Sequence, residues 1–367
     1  MTTPTPPTTA PSTAPTEKAQ ALVWHGGSDF RMQEVPIPAL HEGETLVEIT
    51  TATICGSDRH TALGRRSAPC PSVLGHEGVG IVRATHNPDL RVGQRVVFSV
   101  TAPCMECDRC ERGMTAKCRN LKKTGHEAFD SDWPLSGTYA SHIVLRNHQP
   151  VVVVPDLLPD VPASIATCAG ATVMACMEQA GSLVGKRVLV MGIGMLGLIA
   201  VEAAVRGGAA EVVAVDRDQT RLEWARQLGA VVPDPSAAGA DSESELFDIT
   251  LEFSGSEFGV TTCINSLDIG GRAVLAGSVA TSPSYALDPE RLVRGWRTIT
   301  GVHNYEPRHL EQAVEFLAGS QIDWDTVVAA PIASEDVPAE MQAAPEAFLR
   351  AAVQLSRDQY PADEGFS

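Results

Sequence analysis

A strand, a glycine-rich turn and a helix follow one another at residues 186–206, and this junction constrains the fold more than any other stretch. Lys186-Arg187-Val188-Leu189-Val190-Met191 reads as a buried strand running into Gly192-Ile193-Gly194-Met195-Leu196-Gly197, which opens an apolar helix. Gly192 permits the tight turn, Gly194 lets the backbone approach a pyrophosphate, and Gly197 lets helix and strand pack closely. The helix start offers free N–H groups and the positive dipole end to phosphate. Asp216 ends the next strand, about 20 residues beyond the last glycine, where its carboxylate can accept from ribose hydroxyls. A negative charge there repels a 2′-phosphate and favours NAD over NADP, although Arg217 beside it weakens that preference. A glycine-rich turn alone is weak evidence. Its place between strand and helix, with Asp216 following, makes it a dinucleotide-binding fingerprint.

Around this unit, from 166 to 303, strands and helices alternate: EVVAVD, DQTRLEWARQLGA, FDITLEFSG, GGRAVLAGS and RTITGV. Continuous apolar strands of this kind indicate a parallel sheet covered on both faces. Residues 19–165 are β-rich instead, with short apolar runs in ALVWHGG, TLVEITTATI, EGVGIVRAT and QRVVFSV. The last stretch, 304–367, carries a helix around 308–318 and the apolar FLRAAVQL, which is expected to pack back onto the β-rich block. Residues 1–18, rich in Thr, Pro and Ala with no apolar h-region, read as a disordered tail rather than a secretory signal. A formal charge of −17, from 28 basic and 45 acidic residues, argues against nucleic acid and anionic membranes as partners. No apolar run approaches the roughly 20 residues of a membrane helix. A cytoplasmic location is expected, and nine cysteines in such a chain point to thiolate ligands rather than a disulfide framework.

Four of those cysteines, Cys104, Cys107, Cys110 and Cys118, are spaced C-x2-C-x2-C-x7-C. That pattern suits a closed tetrahedral zinc site that organises a lobe and does no chemistry. An iron–sulfur cluster would need an electron-transfer partner that nothing in the sequence suggests. A second constellation is more dispersed: Cys55 opens Cys-Gly-Ser-Asp-Arg-His, and Gly75-His76-Glu77 follows. A lone Cys and His are commonly core or surface residues. Here Asp58 can hold the imidazole as a hydrogen-bond acceptor, and a nucleotide fold gives the pair a use as Lewis-acid ligands with an open position.

With these motifs the chain resembles the zinc-containing medium-chain alcohol dehydrogenases over about residues 20–355. The matching pieces are Cys55–His60, Gly75–Gly78, the four-cysteine run, Pro155-Asp156, and Gly192–Gly197 with Asp216. Within that family it is most similar to the group associated with phosphonate catabolism, through HTALGRRS, PSVLGHE, CAGATV and GVHNY. The resemblance implies an α/β protein with a GroES-like β-rich catalytic domain (19–165 and 304–367, with a zinc lobe at 104–118). A doubly wound Rossmann domain with a parallel sheet would occupy 166–303. It also implies two zincs per chain, a nicotinamide cofactor, and a homodimer or homotetramer.

The same resemblance implies roles for individual residues. Cys55, His76 and Cys168 would hold the catalytic zinc, with Glu77 a nearby or transient fourth ligand. Ser57 would touch the substrate oxygen and His60 would pass its proton to solvent, a task that suits histidine. Thr172 would pack on the nicotinamide, and Met195 and Leu196 of the glycine loop would be among the cofactor-binding residues. Arg221 would touch the adenosine ribose and Arg350 the pyrophosphate. Some family members carry a basic residue directly after the first zinc cysteine; Gly56 stands there in this chain. The expected reaction is reversible hydride transfer between a small alcohol and NAD, with zinc acidifying the hydroxyl. Arg65 and Arg66 lie between the two catalytic motifs and could grip phosphonate, or they could form a solvated pair. His303, Asn304 and Tyr305 could add polar contacts or merely cap the domain junction. A hydroxyalkyl phosphonate is therefore the expected substrate, and a polyol or amino alcohol the alternative. Two other classes are a zinc-free quinone-reductase-like relative, which would lack Cys55, His76 and the four cysteines, and a non-catalytic NAD-binding regulator, which would have no need of Ser57 and His60.

Overall fold

The computed structural model describes residues 17–233, 246–279, 284–343 and 348–355. In the β-rich half, Lys18–Trp24 pairs antiparallel with Phe30–Pro36 and with Ser72–Val73. A larger sheet has Thr45–Thr53 at its centre, flanked by Glu77–Thr85 and by Arg350–Gln354. Arg95–Phe98 and Val151–Val153 extend it on one side and Val328–Ala333 on the other. Alternate apolar residues of these strands, Val47, Ile49, Val82, Val96 and Phe98 among them, form one buried cluster with Met341 and Val353. The apolar run near the C-terminal end thus returns to the β-rich half as a strand, and Ala352 sits opposite Thr53. That register brings Arg350 beside the segment that begins at Cys55.

The second half is a five-stranded parallel sheet in the order Glu211–Val215, Arg187–Met191, Phe247–Glu252, Leu267–Leu275, Thr298–Gly301. Val231 adds a single parallel bridge outside Glu211–Val215. The order in which successive strands are added therefore reverses between Arg187–Met191 and Phe247–Glu252, and open α/β sheets bind ligands at such a switch point. The helix Met195–Arg206 covers one face here, and nine of its twelve residues are buried. This architecture is the α/β pairing of a GroES-like and a Rossmann domain.

A continuous helical segment, Asp160–Ala180, joins the halves. It is long and apolar enough by composition to cross a membrane, which corrects the expectation that no run approaches that length; most of it is buried inside the protein. Its middle, Ala166–Gly170, is a π-helical turn between two α-helical stretches. Such turns expose backbone carbonyls and re-aim side chains. Here the Tyr305 hydroxyl donates to the freed Thr167 carbonyl, and Cys168 is turned out of the helix packing. The first 16 residues of the expected tail lie outside the described residues, whereas Lys18, assigned to it, already pairs with Pro36 in a strand.

The glycine turn tests how tightly helix and sheet are locked. A Cβ on Gly197 would lie 1.9 Å from the Gly192 carbonyl oxygen, and Gly192 itself has φ +91°. Gly197→Ala is expected to lower stability by ~1–3 kcal/mol, read as a fall in the thermal unfolding midpoint, and to weaken nicotinamide-dinucleotide binding in the same samples.

Candidate active site

Cys55 ends the run after the central strand and caps the short helix Gly56–Ala62. The Asp58 carboxylate reaches back to the Cys55 N–H at 3.1 Å with one oxygen. The buried Tyr139 hydroxyl donates to that same oxygen at 2.9 Å, and the other oxygen lies 2.9 Å from His76 Nδ1. An acceptor on Nδ1 fixes the proton there and leaves the Nε2 lone pair free to bind a metal. Nε2 lies 3.3 Å from Ser57 Oγ. Gly75, with φ +91°, makes the turn that presents His76, and a Cβ there would strike Thr138 at 2.4 Å.

Cys55, His76, Glu77 and Cys168 each offer a donor atom, all within 4.8 Å of one another. Burial opposes charge on His76, but Asp58 and then Cys55 outweigh it and lift its pKa well above the usual value. Hydrogen bonding from Cys168, with Arg350 and His76 nearby, holds Cys55 well below the ordinary thiol range. Two sulfurs and an imidazole this close, with charge already separated between them, fit a dication that replaces protons. Glu77 stands close enough to join them, yet its carboxylate is engaged: Oε2 accepts from Thr53 at 2.6 Å and Arg350 at 3.0 Å, and Oε1 accepts from Arg350 at 3.2 Å. Burial raises Glu77 to about 7 in spite of Arg350.

Cys55, His76 and Cys168 floor a cavity of about 290 Å³. Gly194, Met195, Leu196 and Thr172 line the same cavity, so metal donors and glycine loop face one space. A Cβ on Gly194 would meet nothing within 4 Å, and the helix it opens has no side-chain cap. The loop thus keeps both room and N–H groups for a phosphate-bearing cofactor. Asp216 accepts the Ile193 N–H at 2.6 Å and the Asp218 N–H at 3.0 Å, which ties the turn to the end of the second strand. Each oxygen retains a second lone pair for a ribose hydroxyl.

The other four cysteines gather in a separate lobe. Sγ–Sγ distances are 3.6 Å for Cys107–Cys110, 3.9 Å for Cys107–Cys118 and 3.4 Å for Cys104–Cys118. All nine cysteines are free thiols, and these separations far exceed the ~2.05 Å of a disulfide. Backbone N–H groups of Cys104 and Asn120 point at the Cys118 sulfur, and that of Arg119 at Cys107. The Arg119 N–H contributes most to holding Cys107 down at about 6, while burial pushes Cys110 up to about 12. Four converging sulfurs cannot all ionise unaided, and a dication satisfies them together.

Other sequence-derived candidates fall in several places. His60 lines the cavity, and its Nδ1 is buried with no partner among the described residues. Of the arginine pair, Arg66 lines the cavity and Arg65 is exposed outside it. Arg221 pairs with Asp218 at 3.7 Å and does not line the cavity. Arg350, expected at the pyrophosphate, lines the same cavity as the glycine loop; its guanidinium is buried, pairs with Glu77, and lies 3.5 Å from Cys55 Sγ. His303, Asn304 and Tyr305 all line the cavity, and the Tyr305 hydroxyl also caps the junction through the Thr167 carbonyl and the Val100 N–H. Tyr139, Lys123 and His126 escaped the sequence reading. None stands near a motif, and they reach the site through chain crossings that local spacing does not encode.

Residues 41–156 match the alcohol dehydrogenase GroES-like domain family and residues 196–319 the zinc-binding dehydrogenase family. The chain is 31% identical to an L-threonine 3-dehydrogenase of Chelativorans sp. (strain BNC1), over 75% of this chain and 80% of that one. Among solved structures it is similar to an alcohol dehydrogenase from Thermotoga maritima, with TM-score 0.84, 25% identity, and 93% and 100% of the two chains covered. It is also similar to L-idonate 5-dehydrogenase from Escherichia coli K-12, with TM-score 0.81, 26% identity, and 92% and 99% covered.

Asp58 orients His76 and steadies Cys55 without joining the donor cluster. Asp58→Asn is expected to weaken metal binding at this centre by roughly 10–100-fold, measured by competition with a chromogenic chelator, while the four-cysteine lobe keeps its metal.

Proposed function

This chain belongs to the zinc-containing medium-chain alcohol dehydrogenase family, and we propose that it moves a hydride reversibly between a small alcohol and NAD. That it is a zinc-dependent oxidoreductase acting on CH–OH donors with a nicotinamide cofactor follows from the family. One observation carries the site assignment: the donors of Cys55, His76 and Cys168 floor the same cavity that Gly194, Met195 and Thr172 line. Bound there, zinc supplies a Lewis acid for the substrate oxygen and the nicotinamide supplies the hydride acceptor.

The chain's own groups orient and deprotonate. Ser57 Oγ, beside the metal donors, takes a hydrogen bond from the alcohol hydroxyl, and His60 receives the proton and passes it outward. The unpartnered Nδ1 of His60 supports that task. Thr172 and Met195 press the nicotinamide against the substrate side. Asp216 receives the adenosine ribose hydroxyls and favours NAD over NADP. Glu77, balanced by Arg350, stands in reserve as a further donor. The four-cysteine lobe holds a second zinc that shapes the protein and takes no part in chemistry.

For the substrate, Arg66 in the cavity lining and the group resemblance support a small alcohol such as a hydroxyalkyl phosphonate. The second reading is an amino alcohol or polyol, favoured by the relatives named L-threonine 3-dehydrogenase and L-idonate 5-dehydrogenase.

Metal analysis and nicotinamide absorbance test these assignments. Wild type is expected to carry two zincs per chain, and Cys55→Ala or His76→Ala one. Both variants should lose turnover while dinucleotide binding remains measurable; retained turnover in either removes the metal assignment. Wild type should use NAD more efficiently than NADP. Asp216→Ala should shrink that preference by about tenfold or more, the size expected when a charge-assisted contact is lost; an unchanged ratio would remove Asp216 from cofactor choice.

A further inference from the structure

We propose that Arg66, Lys117, Lys123 and His303 form an oxyanion subsite at the substrate end of the cleft, selecting alcohols that carry a phosphonate or carboxylate group. The proposal rests on the dehydrogenase reading above and decides between its two substrate classes.

Four separate segments supply this cluster. Arg66 comes from the loop after the Cys55 helix, and Lys123 from the short strand that follows the metal lobe. Lys117 comes from the lobe's own helical turn, one residue before Cys118, and His303 from the crossover after the last parallel strand. Arg66, Lys123 and His303 line the cavity that also holds the metal donors. Lys117 Nζ lies 3.0 Å from His303 Nδ1. An ammonium donates only, so His303 accepts at Nδ1 and keeps its own N–H on Nε2 as a further donor.

In a chain of net charge −17, these cations are short of counter-ions. Among the described residues none of Arg66, Lys117 and Lys123 forms an ion pair with a carboxylate, and no Asp or Glu lines the cavity. Neighbouring cations outside the cavity are paired: Lys122 with Asp132, and Arg112 and Arg119 with Asp108. The carboxylates that face the group from adjoining segments are turned to backbone instead. Glu127 accepts the Lys123 N–H at 2.8 Å, and Glu306 accepts the N–H groups of Thr115 and Ala116 at 3.0 and 3.1 Å.

The cost of this arrangement is visible in the protonation of its members. Burial lowers Lys123, and Arg66 and Lys117 lower it further by like-charge repulsion. Burial takes His303 down to about 4, helped by Lys117, Lys123 and Arg66. An anion entering the cleft relieves that repulsion and collects charge-assisted hydrogen bonds. An amino alcohol would bring an ammonium into a wall with no carboxylate to receive it.

The test uses zinc-loaded protein with NAD present. Ethylphosphonate and propionate, which carry the head groups but no hydroxyl to oxidise, are titrated calorimetrically. In parallel, kcat/KM is compared for 2-hydroxyethylphosphonate, 3-hydroxypropionate and 1-propanol. At least one anion should bind, and Arg66→Met and Lys123→Met should each weaken it by about tenfold or more. Both should also lower the ratio of anionic to neutral alcohol kcat/KM by a similar factor. Lys123→Arg should restore much of the loss, and Lys122→Met, which removes the same charge next door, should change neither quantity. Unfolding midpoints near wild type establish that the variants fold. Tighter binding of ethylphosphonate assigns the subsite to phosphonates, and tighter binding of propionate to carboxylates. If neither anion binds, or all variants bind it alike, the subsite is refuted while turnover of 1-propanol leaves the dehydrogenase standing. Displacement of the bound anion by excess NAD would assign the cations to the cofactor and also refute the subsite. Absence of turnover with every alcohol would instead bring down the reading on which the subsite rests.

Discussion

The carboxylate of Asp58 holds the centre together. It is 2% exposed, and it meets the Cys55 N–H, His76 Nδ1 and the Tyr139 hydroxyl at once. A buried carboxylate is tolerated only where its lone pairs are satisfied, and here each partner is part of the site or its support. The bond to Cys55 shapes the turn that presents the sulfur. The bond to His76 selects the tautomer that leaves Nε2 free. Tyr139 anchors the carboxylate from the strand-rich core behind it. Without this node the two ligand segments, some twenty residues apart in sequence, would have no common reference.

The third ligand comes from the other half of the chain, and one helix carries it. Asp160, at the helix start, receives Arg95 and Thr50 of the β-rich sheet. Cys168 leaves the helix at the π turn, Thr172 faces the cavity one turn later, and Glu178 near the end binds Arg308 and His309. A regular α-helix would rotate Cys168 by a fixed 100° per residue along with its neighbours. The π turn breaks that relation, so Cys168 can face the metal donors while Ala166, Ala169 and Gly170 stay packed in the core. Cys168 and Thr172, which both line the cavity, are therefore carried by a single helical segment that joins the two halves.

Features written in consecutive residues were legible from sequence. The glycine turn, the spacing of the four cysteines and the Asp58–His76 pairing were readable because each depends on one backbone path or one short-range geometry. The alternation of strand and helix after residue 186 gave the parallel sheet for the same reason. The contacts of Arg350 with Glu77 and Cys55 were not legible because strand register sets them: Ala352 opposite Thr53 puts the guanidinium there. The apolar character of Asp160–Ala180 was underestimated because it is broken into short runs that look modest until they join as one helix. Lys117 and Lys123 drew no notice in the sequence, since nothing in their neighbourhood marks them as unpaired.

Those two lysines lie at the four-cysteine lobe, Lys117 in its last turn and Lys123 in the strand that follows it to the cavity wall. Glu306 caps the helix Pro307–Ala318 while its carboxylate also holds the N–H groups of Thr115 and Ala116 in the lobe. The crossover bearing His303 and the turn bearing Lys117 are thus fastened to one another across the domain boundary. A loop of fifteen residues held only by solvent contacts would scatter Lys117 over many positions. An ion held by the four converging sulfurs would confine it to one, at the 3.0 Å separation from His303. In that arrangement the lobe would turn a flexible lysine into a fixed charge, and fixed charges discriminate between substrates where mobile ones merely attract them.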